Sequence, residues 1–184
     1  AVEGAAYYLH EQGGCLRVVG PDQASFLQRQ TTNDTNQLAP GQAVLTILTS
    51  PTARILDVIY LFLENEPEPA QSESGVPIGL ITLPGNGNRT FNYLKSRIFF
   101  MDKVSISDHS SAYAQIELIG PGAGALMKEV GIEAGKTPGR LASFSMPDGL
   151  IRILSLEQSS GAGWRWLVPN SALPDVQDIL QKGG

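Results

Sequence analysis

The stretch LRVVGPDQASFLQRQTTND, Leu16 to Asp34, decides how this chain is read. An apolar strand, Cys15 to Val19, runs into Gly20-Pro21. Pro21 suits the first turn of a helix, where its missing N–H costs nothing. Ala24, Phe26, Leu27 and Gln30 continue at helical spacing, and the polar corner Thr31-Thr32-Asn33-Asp34 suits a helix exit or turn. The junction recurs at Glu117-Leu118-Ile119-Gly120-Pro121, followed by Gly122-Ala123-Gly124-Ala125-Leu126-Met127. The repetition predicts a duplicated structural unit.

Outward from this stretch, Ala43 to Thr49 and Arg54 to Leu63 read as strands joined around Ser50-Pro51-Thr52. The second is apolar on both faces, with Ile55, Asp57, Ile59 and Leu61 on one and Leu56, Val58, Tyr60 and Phe62 on the other. Glu64 to Gly75 is acidic and rich in Pro and Ser, a hairpin loop between strands. Pro77 to Leu83 is a strand and Asn88 to Phe99 a helix. Val104 to Ser107 and Ala112 to Ile119 are strands, and Gly122 to Val130 is a short helix. Leu141 to Ser145, Leu150 to Glu157 and Trp164 to Val168 are strands. Ser171 to Lys182 closes the chain as a helix, with Pro174 in its first turn. The order predicts an α+β fold with mainly antiparallel sheets and two similar halves.

The 184 residues are 42% hydrophobic, enough for one sizeable core or two small ones. The net charge is −5 and the basic residues are scattered, so no nucleic-acid footprint is present. No apolar run is long enough for a membrane span, and no signal-peptide pattern opens the sequence. The single cysteine, Cys15, lies in an apolar strand and reads as a buried small hydrophobe. Sparse cysteine favours a reducing, cytoplasmic setting.

Few residues carry chemistry on their own. Gly85-Asn86-Gly87 sits between strand and helix but lacks the third glycine of a dinucleotide loop, so it reads as a turn and helix cap. Asp108-His109-Ser110 contains the residue types of a hydrolase triad. Neighbours on an extended segment point to opposite faces, so it reads as a polar corner. The two histidines and one cysteine make no metal-ligand spacing. Asp57, a carboxylate in an apolar strand, is either an acid, base or ligand anchor, or a structural carboxylate paired with arginine or backbone. Thr31 to Asp34 either line a ligand site or fix the helix end locally. Trp164 with Trp166, and Tyr60 with Phe62, are either core or a stacking wall.

The run Gly20 to Asp34 resembles the folate-binding aminomethyltransferase family, which includes the glycine-cleavage T-protein and the YgfZ-like proteins. Its members carry a GxDAxxFLQxQxTND-like segment and then a Gly-rich strand hairpin. Pro40-Gly41-Gln42-Ala43-Val44-Leu45-Thr46 and Pro51-Thr52-Ala53-Arg54-Ile55-Leu56-Asp57 fit that place. Phe99-Phe100-Met101-Asp102-Lys103-Val104, Leu118-Ile119-Gly120-Pro121 and Gly163-Trp164-Arg165-Trp166-Leu167-Val168-Pro169 follow in order.

The resemblance implies two related α+β subdomains that exchange strands, with tetrahydrofolate bound centrally. It leads us to expect a single folate-binding domain over residues 1–184. Its two pseudo-repeats would cover about 1–99 and about 100–184, and the family's C-terminal barrel would be absent. Asp57 falls at the first position of the family's Asp-Asp pair and Val58 at the second, which is the catalytic one. A one-residue offset turns a strand side chain to the other face. Leu45 replaces the hairpin's tyrosine, and Ser160-Gly161-Ala162-Gly163 lacks the glutamate of the Gly-Glu-x-Gly segment. The implied site is therefore Asp57 as catalytic carboxylate, with Leu45, Val58, Tyr60, Phe62 and Trp164 against the folate. Partners would be a lipoyl carrier protein for an active transferase, or iron–sulfur enzymes for a YgfZ-like protein. Three readings stay open: a folate binder with weakened or no transfer, an active aminomethyltransferase, and a folate-independent interaction domain.

Overall fold

A computed structural model describes residues 4–65, 76–129, 131–132, 137–158 and 161–182. In chain order the elements are β1 (Ala6–His10), β2 (Cys15–Val19), α1 (Gln23–Gln28), β3 (Gln42–Thr49), β4 (Ile55–Leu63), β5 (Ile78–Ile81), α2 (Gly87–Ser96) and β6 (Ser105–Asp108). Then come β7 (Tyr113–Ile119), α3 (Ala123–Glu129), β8 (Leu141–Met146), β9 (Gly149–Gln158), β10 (Gly161–Pro169) and α4 (Leu173–Lys182). The acidic loop expected at Glu64 to Gly75 falls, after Asn65, outside the described residues, as does Ser160.

The chain forms two compact units, one of Gln12–Ser111 and one joining Ala1–Glu11 to Ala112–Gly184. The expected division near residue 99 is corrected to these boundaries by strand pairing. β6 pairs antiparallel with β2 and so stays with the first part of the chain. β1, which sequence reading passes over, pairs antiparallel with β7.

The Gln12–Ser111 unit is one antiparallel sheet in the order β3-β4-β5-β2-β6. One face buries Leu16, Val18, Leu48, Ile59, Leu61 and Leu80 with Phe26 and Leu27 of α1 and Leu94 of α2. Each such side chain contributes about 1.5–3 kcal/mol by leaving water. The other unit has the sheet order β1-β7-β10-β9-β8. Its core joins Ile116, Leu118, Ile153, Trp164 and Trp166 to Leu126 and Met127 of α3 and Val176 and Leu180 of α4.

Read from the other edge, the second sheet repeats the first, with β8, β9, β10, β7 and β1 in the places of β3, β4, β5, β2 and β6. The Gly-Pro junctions occupy the same point in each. Gly20 has φ +136° and Gly120 φ +109°. A Cβ on Gly20 would lie 2.1 Å from the Lys103 carbonyl oxygen, and one on Gly120 would lie 2.6 Å from that of Gly4. Those two carbonyls belong to the segments that lead into the edge strands β6 and β1. The glycines thus let the turn close onto the incoming edge strand, and the Gly122 N–H donates to the Gly4 carbonyl at 3.1 Å.

Pro21 lies in this turn rather than in the helix, which begins at Gln23. The helix expected to reach Phe99 stops at Ser96. Beyond it, the Asp102 carboxylate takes the Phe99 N–H at 2.9 Å and holds a turn.

Candidate functional site

β4 divides its side chains between two different environments. Asp57, Ile59 and Leu61 face the helices and are buried. On the opposite face, cross-strand pairing sets Leu45 against Tyr60 and Ile47 against Val58. Leu45 is 48% exposed, and Val58 and Tyr60 are half-buried. Phe62 shares this face but is enclosed, because its ring lies where a Cβ on Gly79 would be, 2.1 Å from its tip. The face is an apolar wall two strands wide, and one aromatic ring, Tyr60, stays accessible on it.

Asp57 is not on that wall. It is 2% exposed on the helix side of the sheet. Its Oδ1 accepts from the Val58 N–H at 2.9 Å, Asn86 Nδ2 at 3.0 Å and the Leu83 N–H at 3.4 Å. Its Oδ2 accepts from Thr90 Oγ1 at 2.6 Å. Expected as a catalytic carboxylate, Asp57 here ties β4 to the entry of α2. No arginine is among these donors. Gly85-Asn86-Gly87 is the loop it secures: the expected turn is there, closed by the Asn86 N–H on the Leu83 carbonyl at 3.0 Å, whereas Asn86 stands at the start of α2 without a side-chain capping bond and gives its amide to Asp57 instead. A cleft of about 360 Å³ beside that loop is lined by Gly14, Gly87, Asn88, Asp108 and Ser110 among others, with no lysine or arginine.

The Thr31–Asp34 corner is stitched to β3. Asn33 Nδ2 donates to the Leu45 carbonyl at 2.5 Å, and the Asn33 N–H donates to Thr46 Oγ1 at 3.0 Å. The Ile47 N–H donates to Thr32 Oγ1 at 3.3 Å. Asp34 accepts the Asn36 N–H at 3.2 Å and so starts a short 3-10 turn. The corner thereby sets the strand that carries Leu45 and Ile47. At Asp108-His109-Ser110 the carboxylate accepts from the Ser110 N–H at 2.9 Å and Oγ at 2.5 Å. This is a polar corner and not a triad.

In the other unit, Trp164 is 1% exposed within the helix-side core, which corrects its expected place against a ligand. The neighbouring position matters more, and sequence reading did not select it. Arg165 points to the opposite sheet face and is 8% exposed. Its Nη2 donates to Glu117 Oε2 at 2.6 Å and its Nη1 to Gln115 Oε1 at 3.3 Å. His10 Nε2 lies 2.9 Å from the same Glu117 oxygen. Arg165 Nε is buried with no hydrogen-bond partner among the described residues. Burial pushes the Glu117 carboxyl up, but the Arg165 charge and the bonds from His10 and Arg165 together hold it below its ordinary value. Burial, with the charge of Arg165, holds His10 below the usual histidine value despite Glu117. His10 is therefore neutral near pH 7 and donates through Nε2. The signal available in sequence was the alternation of Arg165 and Glu117 with apolar neighbours in paired strands. Among the described residues no group of His, Cys, Asp and Glu could hold a metal ion.

Residues 10–137, more than half of the chain, match the family model described as the GCVT N-terminal domain. The chain belongs to this family. An aminomethyltransferase of Chlorobium luteolum is 29% identical over 92% of this chain and 45% of its own length. A protein of Arabidopsis thaliana, provisionally named a chloroplastic transferase, is 28% identical over 92% of this chain and 38% of its own. The fold matches that of the glycine cleavage system aminomethyltransferase T from Bartonella henselae, with TM-score 0.77, 20% identity, and coverage of 96% of this chain and 45% of that one. This GCVT-family chain thus spans less than half the length of these relatives. The T-protein likeness carries the α+β architecture with two mainly antiparallel sheets. No helix among the described residues is long and apolar enough to cross a membrane.

Proposed function

We propose that this GCVT-family chain binds tetrahydrofolate and that its aminomethyl-transfer activity is weak or absent. The division of β4 between two faces carries the reading. The wall of Leu45, Ile47, Val58 and Tyr60 offers apolar surface and one accessible ring to a flat pterin. The strand's one carboxylate, Asp57, is on the far side and already holds four donors. Tetrahydrofolate, when bound, supplies the nitrogen that takes up the one-carbon unit. The wall orients the ring and keeps water from it. Val58, where the family's second Asp is expected, accepts no proton, so transfer at that nitrogen lacks the assisting base.

With transfer weakened, the partner reading is that of the YgfZ-like proteins, which support iron–sulfur enzymes in a reducing, cytoplasmic setting. The buried single cysteine, Cys15, suits that setting. The lipoyl carrier belongs to the active alternative, which the relatives named as aminomethyltransferases favour.

Titration calorimetry with tetrahydrofolate tests the binding. Wild type binds, and Tyr60→Ala and Leu45→Asp each weaken binding about tenfold, the loss of one anchor contact. Aminomethyl-loaded lipoyl carrier protein, mixed with tetrahydrofolate and the chain, yields no methylene-tetrahydrofolate above background. Fast turnover establishes the active alternative. Absence of folate binding leaves a folate-independent interaction domain and ends the proposal.

A further inference from the structure

The turn after α2 shows solvent three consecutive apolar side chains, with Phe99 62%, Phe100 98% and Met101 72% exposed. An exposed knuckle of this kind is unusual on a soluble surface unless it meets a partner. The turn is also rigidly built. Asp102 accepts the Phe99 N–H at 2.9 Å, and its own N–H returns to the Phe99 carbonyl at 3.0 Å. Arg29 Nη2, from the end of α1, lies 2.8 Å from both Asp102 oxygens. The Lys103 N–H donates to Asp22 at 2.8 Å. The conformation is set before any encounter, which lowers the ordering cost of binding.

The surroundings have a sign. Lys95, Arg97 and Lys103 lie within four residues of the knuckle in sequence, Lys95 and Arg97 resting over the Phe91 and Tyr93 rings. Of the two carboxylates at the turn, Asp102 is taken by Arg29 and Asp22 accepts the Lys103 N–H, so the cations outnumber the acids. This local positive charge sits in a chain of net charge −5. We propose that the Phe99–Met101 knuckle docks into a second, different protein that offers an apolar pocket for Phe100 within an acidic rim. Aromatic, Met and Arg side chains are the types enriched at such interfaces. A second copy of this chain fits worse, because a two-fold contact through the knuckle sets the same cations against each other. An anionic bilayer fits worse too, because three cations fall short of a polybasic cluster and the net negative charge is repelled.

A benzophenone amino acid placed at position 100 in the producing cell, followed by irradiation, tests this. The expected product is an adduct with one other protein. Purified, that protein should bind the wild-type chain, lose at least tenfold in affinity to Phe100→Ser, lose affinity to Lys103→Glu, and bind more weakly at raised salt. Phe100→Ser should leave the unfolding midpoint unchanged, since the ring touches little. The proposal is overturned by adducts with this chain itself, by no adduct, or by partner binding indifferent to Phe100→Ser. Binding to phosphatidylserine vesicles that Phe100→Ser abolishes overturns it in favour of a membrane.

Discussion

Asp57 is buried on the helix side of β4. A lone carboxylate in an apolar strand invites a catalytic role. In the folded chain four donors surround it, from the Val58 and Leu83 backbone and the Asn86 and Thr90 side chains. Removing such an acceptor leaves buried donors unmet. Asp57→Ala is expected to destabilise the Gln12–Ser111 unit by about 2–4 kcal/mol while tetrahydrofolate affinity in the surviving folded protein stays unchanged. Denaturant unfolding and calorimetry on the same sample check both parts. A large loss of affinity with intact stability would return Asp57 to the binding site. The residue's presence was legible; its partners, 26 to 33 positions away for three of the four, were not.

At the level of elements, the two Gly-Pro junctions do the same mechanical task. Each glycine adopts a positive φ, and each lacks a side chain where the carbonyl leading into an edge strand passes. Gly20→Ala combines backbone strain with a Cβ placed 2.1 Å from a backbone oxygen, and is expected to cost at least about 2 kcal/mol. Gly120→Ala, at 2.6 Å, is expected to cost less but to act in the same direction. Thermal unfolding of the two variants, compared with an alanine at the uncrowded Gly131, measures the difference; equal midpoints for all three would refute the close-packing account. The repeated junction and the other thirteen elements stand out in sequence through periodicity and turn residues. β1 did not, because Ala6 to His10 is short and its partner strand lies more than a hundred residues along. Such pairing leaves no local signal.

At the scale of the molecule, the charges of the unit that joins Ala1–Glu11 to Ala112–Gly184 predict its acid response. His10 titrates below 6.5 when folded, so the unfolded chain binds its proton first as pH falls. Its stabilising effect is complete above pH 6.5 and fades below it. Glu117, held below 4.5, adds a second loss of stability at lower pH, through the same sign of linkage. Melting temperatures should therefore fall in two stages as pH drops from 7 to 3.5. His10→Gln should remove the first stage and keep the second. A melting temperature that rises on acidification through pH 6 would contradict the arrangement of Arg165, Glu117 and His10.

Sequence alone determined the α+β class, most element boundaries, the duplicated junction and the family, because periodicity, turn chemistry and an ordered set of short motifs are written locally. Only the tertiary structure decided where the units divide, that Asp57 faces away from the Leu45–Tyr60 wall, that Trp164 is core, and that Arg165 is buried with Glu117. Those facts depend on strand register and on which face each helix covers, and a strand's two faces differ only once its neighbours are in place.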